Sequence, residues 1–411
     1  MLNNRVIFTT VLVAALGYMV DIYDLIIFSI VRVQSLKDLG ITDPAQIQSI
    51  GLGIIAAQMR GMLIGGILWG ILGDKMGRLS VLFGSIILYS IANTANGFVQ
   101  TVEQYHWLRF IAGIGLAGEL GVGITLVSEV MSKEKRGFGT TIVASVGVAG
   151  AVLAYFVAEA FAWRNAYIFG GALGFALLLL RISVFESGMY QNIKKQKVQK
   201  GNFLKIFTNY RLFIKYIKCV LIGSSTWLII GILVTSAPEF GKAFGMNNPP
   251  TTGAKAIMFC YLGLIIGDLS SGLLSQYLKS RRKTLFIYLS LTALASAFYL
   301  SSGNISLDYF YFKIFLIGVA GGFWVIFVSM ASEQFGTNLR ATVSTTVPNF
   351  ARGSLDLLVW AFLFLSRDYG MNLGAVNAAW ILSGICMAVS LIAVYYSEET
   401  FGKDLDYVEF M

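Results

Sequence analysis

Long apolar runs recur along the whole chain and are separated by short polar connections. An α-helix rises about 1.5 Å per residue, so about 20 apolar residues cross a hydrocarbon core roughly 30 Å thick. The runs have this length, and their spacing predicts an all-α membrane protein with twelve transmembrane helices. The predicted helices cover residues 6–33, 49–72, 79–98, 106–131, 137–162, 166–184, 214–240, 254–278, 284–302, 308–332, 341–366 and 373–396.

Composition narrows the class of protein. Hydrophobic residues make up 56% of the 411 residues, charged residues make up 13%, and the mean hydropathy is +0.71. Such a chain is too apolar for a soluble domain, and its short connections leave no catalytic domain outside the membrane. The first run, Val6–Val33, is too long for a signal-peptide core and is expected to remain as the first helix. One histidine and three singly placed cysteines supply no metal-ligand spacing, so we expect no enzyme, no metal and no cofactor beyond a coupling proton.

Lysine and arginine residues are distributed unequally between the two sides of the predicted topology. With the N-terminus inside, twenty of the 31 fall in inner connections and tails, and only five fall in outer connections. The positive-inside rule therefore places both termini and the central loop in the cytoplasm of a bacterial inner membrane. Because the cations report topology, the net charge of +9 does not indicate nucleic-acid binding.

The longest polar connection, at 185–213, divides the predicted helices into two sets of six. The predicted domains are a bundle at 1–184, a basic cytoplasmic linker at 185–213, a second bundle at 214–396 and a cytoplasmic tail at 397–411. An internal repeat with an offset of 204 residues places Glu129 and Arg136 over Glu333 and Arg340. Two such halves are typical of transporters with a substrate site near the membrane midplane. We therefore expect a monomer whose partners are the lipid bilayer and a small-molecule substrate.

Charged residues gather at the predicted cytoplasmic helix ends, around a tight turn at 73–78. The glycines of this Gly-Asp-Lys-Met-Gly-Arg turn permit close helix ends, and its aspartate can accept hydrogen bonds from a neighbouring helix N-terminus. The charges form either a latch that opens during transport or a static topology anchor. The residues of the predicted latch are Asp74, Arg78, Glu129, Arg136, Glu333 and Arg340.

Ionisable residues at mid-depth provide the candidate chemistry. An ionised side chain at the bilayer centre costs about 2.5 to 3.5 kcal/mol, so it normally faces water or a partner. Five acids and two bases are expected at this depth: Asp21, Asp24, Glu119, Asp268, Asp356, Arg60 and Arg352. The excess of acids predicts that some of them are neutral or periodically protonated.

Asp21 and Asp24 lie three residues apart and therefore share one face of the first helix. Because like charges repel, we expect one carboxylate to carry a proton and the other to hold a substrate ammonium group or an arginine. A fixed salt bridge to Arg60 is the alternative. Glu119 stands among five glycines of the fourth helix, where small residues allow close packing on one side, and it is the second proton-site candidate.

Two arginines are candidate substrate contacts. The planar guanidinium of Arg352 suits a carboxylate, although Asp356, one turn further along the same helix, can equally neutralise it. Arg60, with Gln58 in the second helix, is a similar candidate. Aromatic side chains either line the cavity or face lipid, because rings are common at membrane interfaces. The predicted substrate site comprises Tyr23, Gln58, Arg60, Trp324, Arg352 and Asp356.

Several of these motifs resemble those of a known family. The turn at 73–78 is similar to the loop signature of the major facilitator superfamily, and residues 109–119 resemble its fourth-helix motif. Phe185-Glu186-Ser187 and residues 399–405 resemble its Pro-Glu-Ser and Pro-Glu-Thr-x-Gly-x-x-Leu motifs, without the prolines. The second-half loop at 276–283 has lost the aspartate, so the resemblance does not imply a symmetrical cytoplasmic gate.

Other segments resemble particular branches of this superfamily. Asp21-Ile22-Tyr23-Asp24 and Gly118-Glu119 resemble motifs of metabolite:proton symporters, and Ala351-Arg352-Gly353 resembles the Gly-Arg with which organic-ion transporters meet substrate anions. The first four helices are also similar to the phagosomal nutrient transporters of intracellular bacteria, several of which carry amino acids. The resemblance implies proton-coupled uptake of a small polar metabolite, an amino acid or another carboxylate, by alternating access.

Three other functions are compatible with parts of the pattern. Proton-driven export of a small organic compound or drug uses the same fold and acids, although an apolar substrate suits two arginines poorly. An intramembrane enzyme is a second alternative, but one histidine and no long soluble loop leave little for metal or nucleophilic chemistry. A nutrient sensor on the same fold, which binds substrate without accumulating it, is the third.

Overall fold

The computed structural model describes residues 4–76, 78–119, 131, 136–186, 204–246, 251–367 and 370–403. The chain is helical through these ranges, and they contain no β-strand. The helices of the first half are α1 (Asn4–Asp38), α2 (Pro44–Met76), α3 (Arg78–Asn96), α4 (Val102–Leu116), α5 (Arg136–Ala160) and α6 (Trp163–Glu186). Those of the second half are α7 (Leu204–Thr208), α8 (Tyr210–Leu228) with a π-helix (Ile229–Val234), α9 (Ala237–Ala243), α10 (Gly253–Leu278), α11 (Arg281–Leu300), α12 (Leu307–Gly321), α13 (Trp324–Glu333), α14 (Thr337–Ser366) and α15 (Gly374–Tyr395).

Nine segments of the described ranges have the length and hydropathy of a membrane span. They correspond to α1, α2, α5, α6, α8 with its π-helix, α10, α11, α12 with α13, and α15. The other three spans are α3, α4 and α14. The apolar part of α3 is Val81–Asn96, and the 30-residue α14 carries buried polar residues such as Asn349 and Arg352. The order of the spans is that of the twelve predicted helices.

Two predicted helices are interrupted in the structure. The span predicted at 214–240 changes to a π-helix and ends at Val234, and α9 starts separately with Pro238 in its first turn. Proline has no amide hydrogen to donate, so it suits the first turn of a helix, whereas in a helix interior, as at Pro348 of α14, it removes one backbone hydrogen bond. The span predicted at 308–332 is broken between α12 and α13. The prediction of one continuous helix was therefore wrong at both places.

Glycines allow the helices of each half to approach closely. A Cβ on Gly113 of α4 would lie 2.1 Å from the carbonyl oxygen of Gln58 in α2. In the second half a Cβ on Gly318 of α12 would lie 2.0 Å from the carbonyl oxygen of Cys260 in α10. Small residues permit such backbone contact between membrane helices, and the two equivalent contacts agree with the repeated organisation of the halves.

The halves meet along two pairs of helices, α2 with α14 and α5 with α10. On the first seam a Cβ on Gly66 would lie 2.9 Å from Asn349 Cβ, and a Cβ on Gly353 would lie 2.6 Å from Leu63 Cδ1. On the other side, α1 also contacts α10. These contacts enclose the charged side chains described next.

Candidate functional site

Apart from Arg32, which pairs with Glu239, seven charged side chains of the described residues are almost completely buried between the helices. Their exposed fractions are 2% or less, and they are Asp21, Asp24, Glu119, Asp268, Arg109, Arg181 and Arg352. The sequence counted only Arg60 and Arg352 as bases at this depth, whereas the structure also buries Arg109 and Arg181 in the bundle. Three arginines therefore compensate most of the buried negative charge, as the cost of an unpaired charge requires.

The two aspartates of α1 are both fully buried. No side-chain oxygen of either residue accepts a hydrogen bond from the described part of the chain. Arg109 of α4 is fixed beside Asp24, since it donates to the main-chain carbonyl of Asp24 at 2.7 Å and to Asn93 Oδ1 at 2.8 Å. Asp21 lies within electrostatic range of Glu119 and Arg352. The salt bridge to Arg60 that the sequence left open is not formed.

Glu119 is paired with Arg181 of α6. Both carboxylate oxygens accept from the guanidinium, Oε2 from Nη1 at 3.0 Å and Oε1 from Nη2. Gly17 of α1 leaves room for this pair, because a Cβ there would lie 2.2 Å from Arg181 Nη2 and 2.5 Å from Glu119 Oε1. The expected role of Glu119 in proton transfer remains a prediction, and Arg181 is a partner that sequence reasoning missed.

Arg352 of α14 is fully buried and only partly hydrogen-bonded. Its Nη1 donates to Asn349 Oδ1 at 3.3 Å, whereas Nε and Nη2 donate to no described residue. Asn349 in turn donates to the carbonyl of Ala117 at 2.9 Å, at the turn that ends α4. Arg352 Cζ lies 5.7 Å from the ring centroids of both Trp227 and Trp324. Arg352 therefore offers two free donors beside two aromatic rings.

The structure does not bring Arg60 and Asp356 to this cluster. They bind each other, with Asp356 accepting from Arg60 Nε at 2.8 Å and from Nη2 at 2.7 Å, so Asp356 does not neutralise Arg352. Arg60 lies four residues before Ile64, and Asp356 lies four residues before Trp360, and both apolar side chains are exposed. Residues four apart share a helix face, so the pair lies on the lipid-facing seam between α2 and α14. The prediction that Arg60 and Asp356 join the substrate site with Arg352 is therefore not supported by these contacts.

The remaining predicted substrate residues have different surroundings. Trp324 lies beside Arg352 and packs edge-to-face on Trp227, with ring centroids 6.1 Å apart. Tyr23 donates to the carbonyl of Ala166 at 2.7 Å, and Gln58 donates to the carbonyl of Leu25 at 3.3 Å. The last two bonds hold helices of the first half together.

The predicted latch lies only partly within the described residues. Glu129 and the side chains of Asp74, Arg78 and Arg136 fall outside them. Glu333 accepts from Arg281 at 3.4 Å and from the Thr400 hydroxyl at 2.7 Å. Arg340 donates to the carbonyl of Phe335 at 3.3 Å. These contacts stay within the second half, and the latch remains a prediction.

Polar contacts also join the two halves at the end opposite the α1 N-terminus. Arg32 of α1 donates to both carboxylate oxygens of Glu239 in α9, at 2.8 and 2.9 Å. Arg367, which follows α14, donates to Gln48 Oε1 at 2.6 Å. The Arg60–Asp356 pair lies on the same seam as Arg367. Sequence reasoning missed the first two contacts, because each joins residues more than 200 positions apart. In the described ranges no group of three or more His, Cys, Asp or Glu side chains is arranged to hold a metal ion.

A membrane protein of two six-helix halves around a buried cluster of carboxylates and arginines belongs to the class of secondary transporters. Comparison with protein families gives a specific assignment. The chain belongs to the Major Facilitator Superfamily, whose model matches residues 7–355. The predicted fold class is thereby confirmed, and the family consists of transporters and not of enzymes.

Curated relatives and solved structures agree with this assignment. The chain is 29% identical over 357 residues to a putative niacin/nicotinamide transporter, NiaP, of Bacillus subtilis, covering 83% of this chain and 84% of the relative. It is 27% identical over 372 residues to the sialic acid transporter NanX of Escherichia coli, covering 87% of each. The proton:xylose symporter XylE of E. coli has a similar fold, with a TM-score of 0.73, 17% identity and 98% of each chain covered.

Proposed function

We propose that the chain imports a small carboxylate metabolite together with a proton by alternating access. The observation that supports the proposal is Arg352, a fully buried guanidinium with two nitrogen atoms that donate to no described residue. A carboxylate suits such donors, because a planar guanidinium forms two parallel hydrogen bonds to it. The rings of Trp227 and Trp324, beside the same guanidinium, then contact the body of the substrate.

Charge balance gives a physical reason for proton coupling. The other two arginines of this cluster, Arg181 and Arg109, already face Glu119 and Asp24. Asp21 has Arg352 within electrostatic range, and neither of its oxygens accepts a hydrogen bond from the described residues. When a substrate carboxylate binds Arg352, the guanidinium charge no longer balances the charge of Asp21. A proton on Asp21 then restores neutrality, because net charge is costly inside the membrane. Substrate anion and proton are therefore expected to bind together. In this proposal Asp21, Asp24 and Glu119 are the candidate proton sites.

The relatives favour a carboxylate as the substrate. Niacin and sialic acid both carry a carboxyl group, although the B. subtilis relative is also named for nicotinamide, which has an amide in its place. Two tryptophans beside Arg352 suit a flat ring, so we place a ring carboxylate such as nicotinate first. An amino acid is the second choice, with its carboxylate on Arg352 and its ammonium group facing Asp21.

We further propose a monomer in a bacterial inner membrane with both termini in the cytoplasm. The basic connections and tails support this orientation through the positive-inside rule. With this topology the Arg32–Glu239 contact lies on the outer side of the membrane.

The first experiment is a thermal-shift screen of the purified protein with nicotinate, N-acetylneuraminate, benzoate and amino acids. A ligand that binds the folded state raises its melting temperature, so the screen selects the probe for transport. Arg352→Lys should lose most of the shift, since lysine lacks the paired donors. The matched control is Arg164→Lys, whose guanidinium binds the Gly97 and Val99 carbonyls away from the cluster. An equal shift in Arg352→Lys and wild type would remove Arg352 from the site.

The second experiment uses proteoliposomes with a pH electrode outside. Adding the selected substrate to the outside of symporter vesicles makes the outer solution more alkaline, because each substrate carries a proton inward. A proton-driven exporter does not give this signal, so an absent alkaline shift alongside substrate binding would favour the export alternative.

A further inference from the structure

The break in the tenth span lies beside the candidate site. α12 ends, Gly322 and Phe323 interrupt the helix, and α13 begins at Trp324. Gly322 packs directly on α10: a Cβ there would lie 2.4 Å from Gly267 Cα and 2.5 Å from the Asp268 nitrogen. This close approach, which requires glycine, brings the first amides of α13 onto α10.

Asp268 of α10 contacts the start of α13. Its side chain is 1% exposed, and Oδ1 accepts a hydrogen bond from the Val325 amide over 3.5 Å. The Trp324 amide also interacts with this carboxylate. Unpaired amides and the helix dipole stabilise a carboxylate at a helix N-terminus, and in return the carboxylate holds the helix start in place.

Trp324 is the first residue of α13, so the group that anchors the helix start also anchors this ring. The Trp324 ring centroid lies 5.7 Å from Arg352 Cζ and 6.1 Å from the Trp227 ring centroid. We propose that Asp268 is a positioning residue that holds Trp324 against the ring of a carboxylate bound to Arg352. The inference rests on the proposed function of Arg352, and it assigns Asp268 to substrate selection and not to proton transfer.

The test compares nicotinate, which has a ring, with propionate, which presents a carboxylate without one, in proteoliposomes. Asp268→Ala should raise the KM for nicotinate about threefold to tenfold, the factor that one aromatic contact contributes, and leave kcat within about twofold. The inhibition constant of propionate should stay within about twofold, because the Arg352 donors remain. Asp268→Asn keeps an acceptor oxygen, so it should retain most of the nicotinate affinity.

Two further variants distinguish the proposed effect from a general loss of folding. Asp308→Ala, which removes an exposed acid from the first turn of α12, is the matched control and should leave every constant unchanged. Gly322→Ala displaces α13 through its Cβ and keeps the Asp268 carboxylate, so it should reproduce the nicotinate defect of Asp268→Ala.

Tryptophan emission provides a measurement that does not depend on transport. Each variant is also made with Trp324→Phe added. Subtracting the emission spectrum of that double variant from the spectrum of the single variant leaves the emission of Trp324. This emission should shift to longer wavelength in Asp268→Ala, as the ring leaves its packed position, and stay unchanged in Asp268→Asn.

Several results would overturn the inference. Unchanged Trp324 emission in Asp268→Ala would show that Asp268 does not position the ring. Equal losses for nicotinate and propionate would show a general structural role, and lost proton movement with an unchanged KM would make Asp268 a proton site. If the wild type carries neither probe, the proposed substrate class fails, while the emission measurement still decides the positioning role.

Discussion

The ion pair between Arg32 and Glu239 makes a direct prediction about the transport cycle. It joins α1 of the first half to α9 of the second, at the end that the proposed topology places outside. Arg32 is 1% exposed and Glu239 is 16% exposed, so the contact is largely shielded from water. Alternating access requires this contact to break whenever the site opens outward. Glu239→Gln removes the charge and keeps the size of the side chain.

The size of the effect follows from the burial of the pair. Breaking a buried ion pair costs about 3 to 5 kcal/mol, because the remaining charge stays buried without its partner. The lower figure, about 3 kcal/mol, applies here, since Glu239 is partly exposed and Arg32 keeps its bond to the Thr235 carbonyl at 3.1 Å. At about 1.4 kcal/mol per factor of ten, the equilibrium shifts roughly 100-fold toward the outward-open form.

Cysteine labelling measures this shift. Ser29 of α1 is 7% exposed, so a cysteine there is covered while the outer end is closed. In a background without native cysteines, Ser29→Cys should react with a membrane-impermeant maleimide faster when Glu239→Gln is present, by up to about 100-fold. Glu103→Gln, which neutralises an exposed acid at the start of α4, is the control. An unchanged labelling rate in well-expressed Glu239→Gln would refute a gating role for the pair.

Three further predictions concern coupling, packing and pH. Asp24→Asn should abolish uphill accumulation and spare exchange if Asp24 carries the proton; undiminished accumulation would reject that role. Gly113→Ala should lower stability by about 1 to 3 kcal/mol in thermal melts, since its Cβ meets the Gln58 carbonyl, whereas Gly53→Ala, with no atom within 4 Å of its Cβ, should not. Burial raises the pKa of Glu399, but hydrogen bonds from the Ser280 hydroxyl and from backbone amides outweigh it and hold the pKa below its usual value of 4.5. Docking of residues 397–403 is therefore complete above that value and lost as the pH falls through the lowered pKa; hydrogen exchange should show the loss, and Glu399→Gln should remove its pH dependence.

Hydropathy predicted the spans well because it depends only on the number of apolar residues in a row. The spacing of three residues predicted that Asp21 and Asp24 share a helix face, and the structure shows that both side chains are buried. The offset of 204 residues identified the two halves, and Arg109 and Lys313, which it pairs, both bind groups within their own half.

Side-chain partners were not predictable in the same way. A hydropathy window averages over all faces of a helix, so Arg60 looked like a cavity residue although it lies on the lipid-facing seam. Arg181 lies inside the sixth predicted helix, at 166–184, but nothing in the sequence marked it as the partner of a particular acid. Partners such as Glu119 for Arg181 come from distant parts of the chain, and one sequence contains no signal that links them.

The candidate site and the outer contact are carried by the same helix. Asp21 and Arg32 are eleven residues apart on α1, which is about three turns, so they share one face and lie about 16 Å apart along the axis. Both interact with the second half, Asp21 with the charge of Arg352 and Arg32 with Glu239. No proline interrupts α1, and an uninterrupted helix moves as one body. A change of charge at Asp21 alters the electrostatic attraction between α1 and Arg352 of the second half. If α1 tilts as a result, Arg32 moves relative to Glu239. In the proposed cycle, neutralisation of Asp21 and the outer contact are therefore linked, because the movement of α1 that follows the change of charge also moves Arg32.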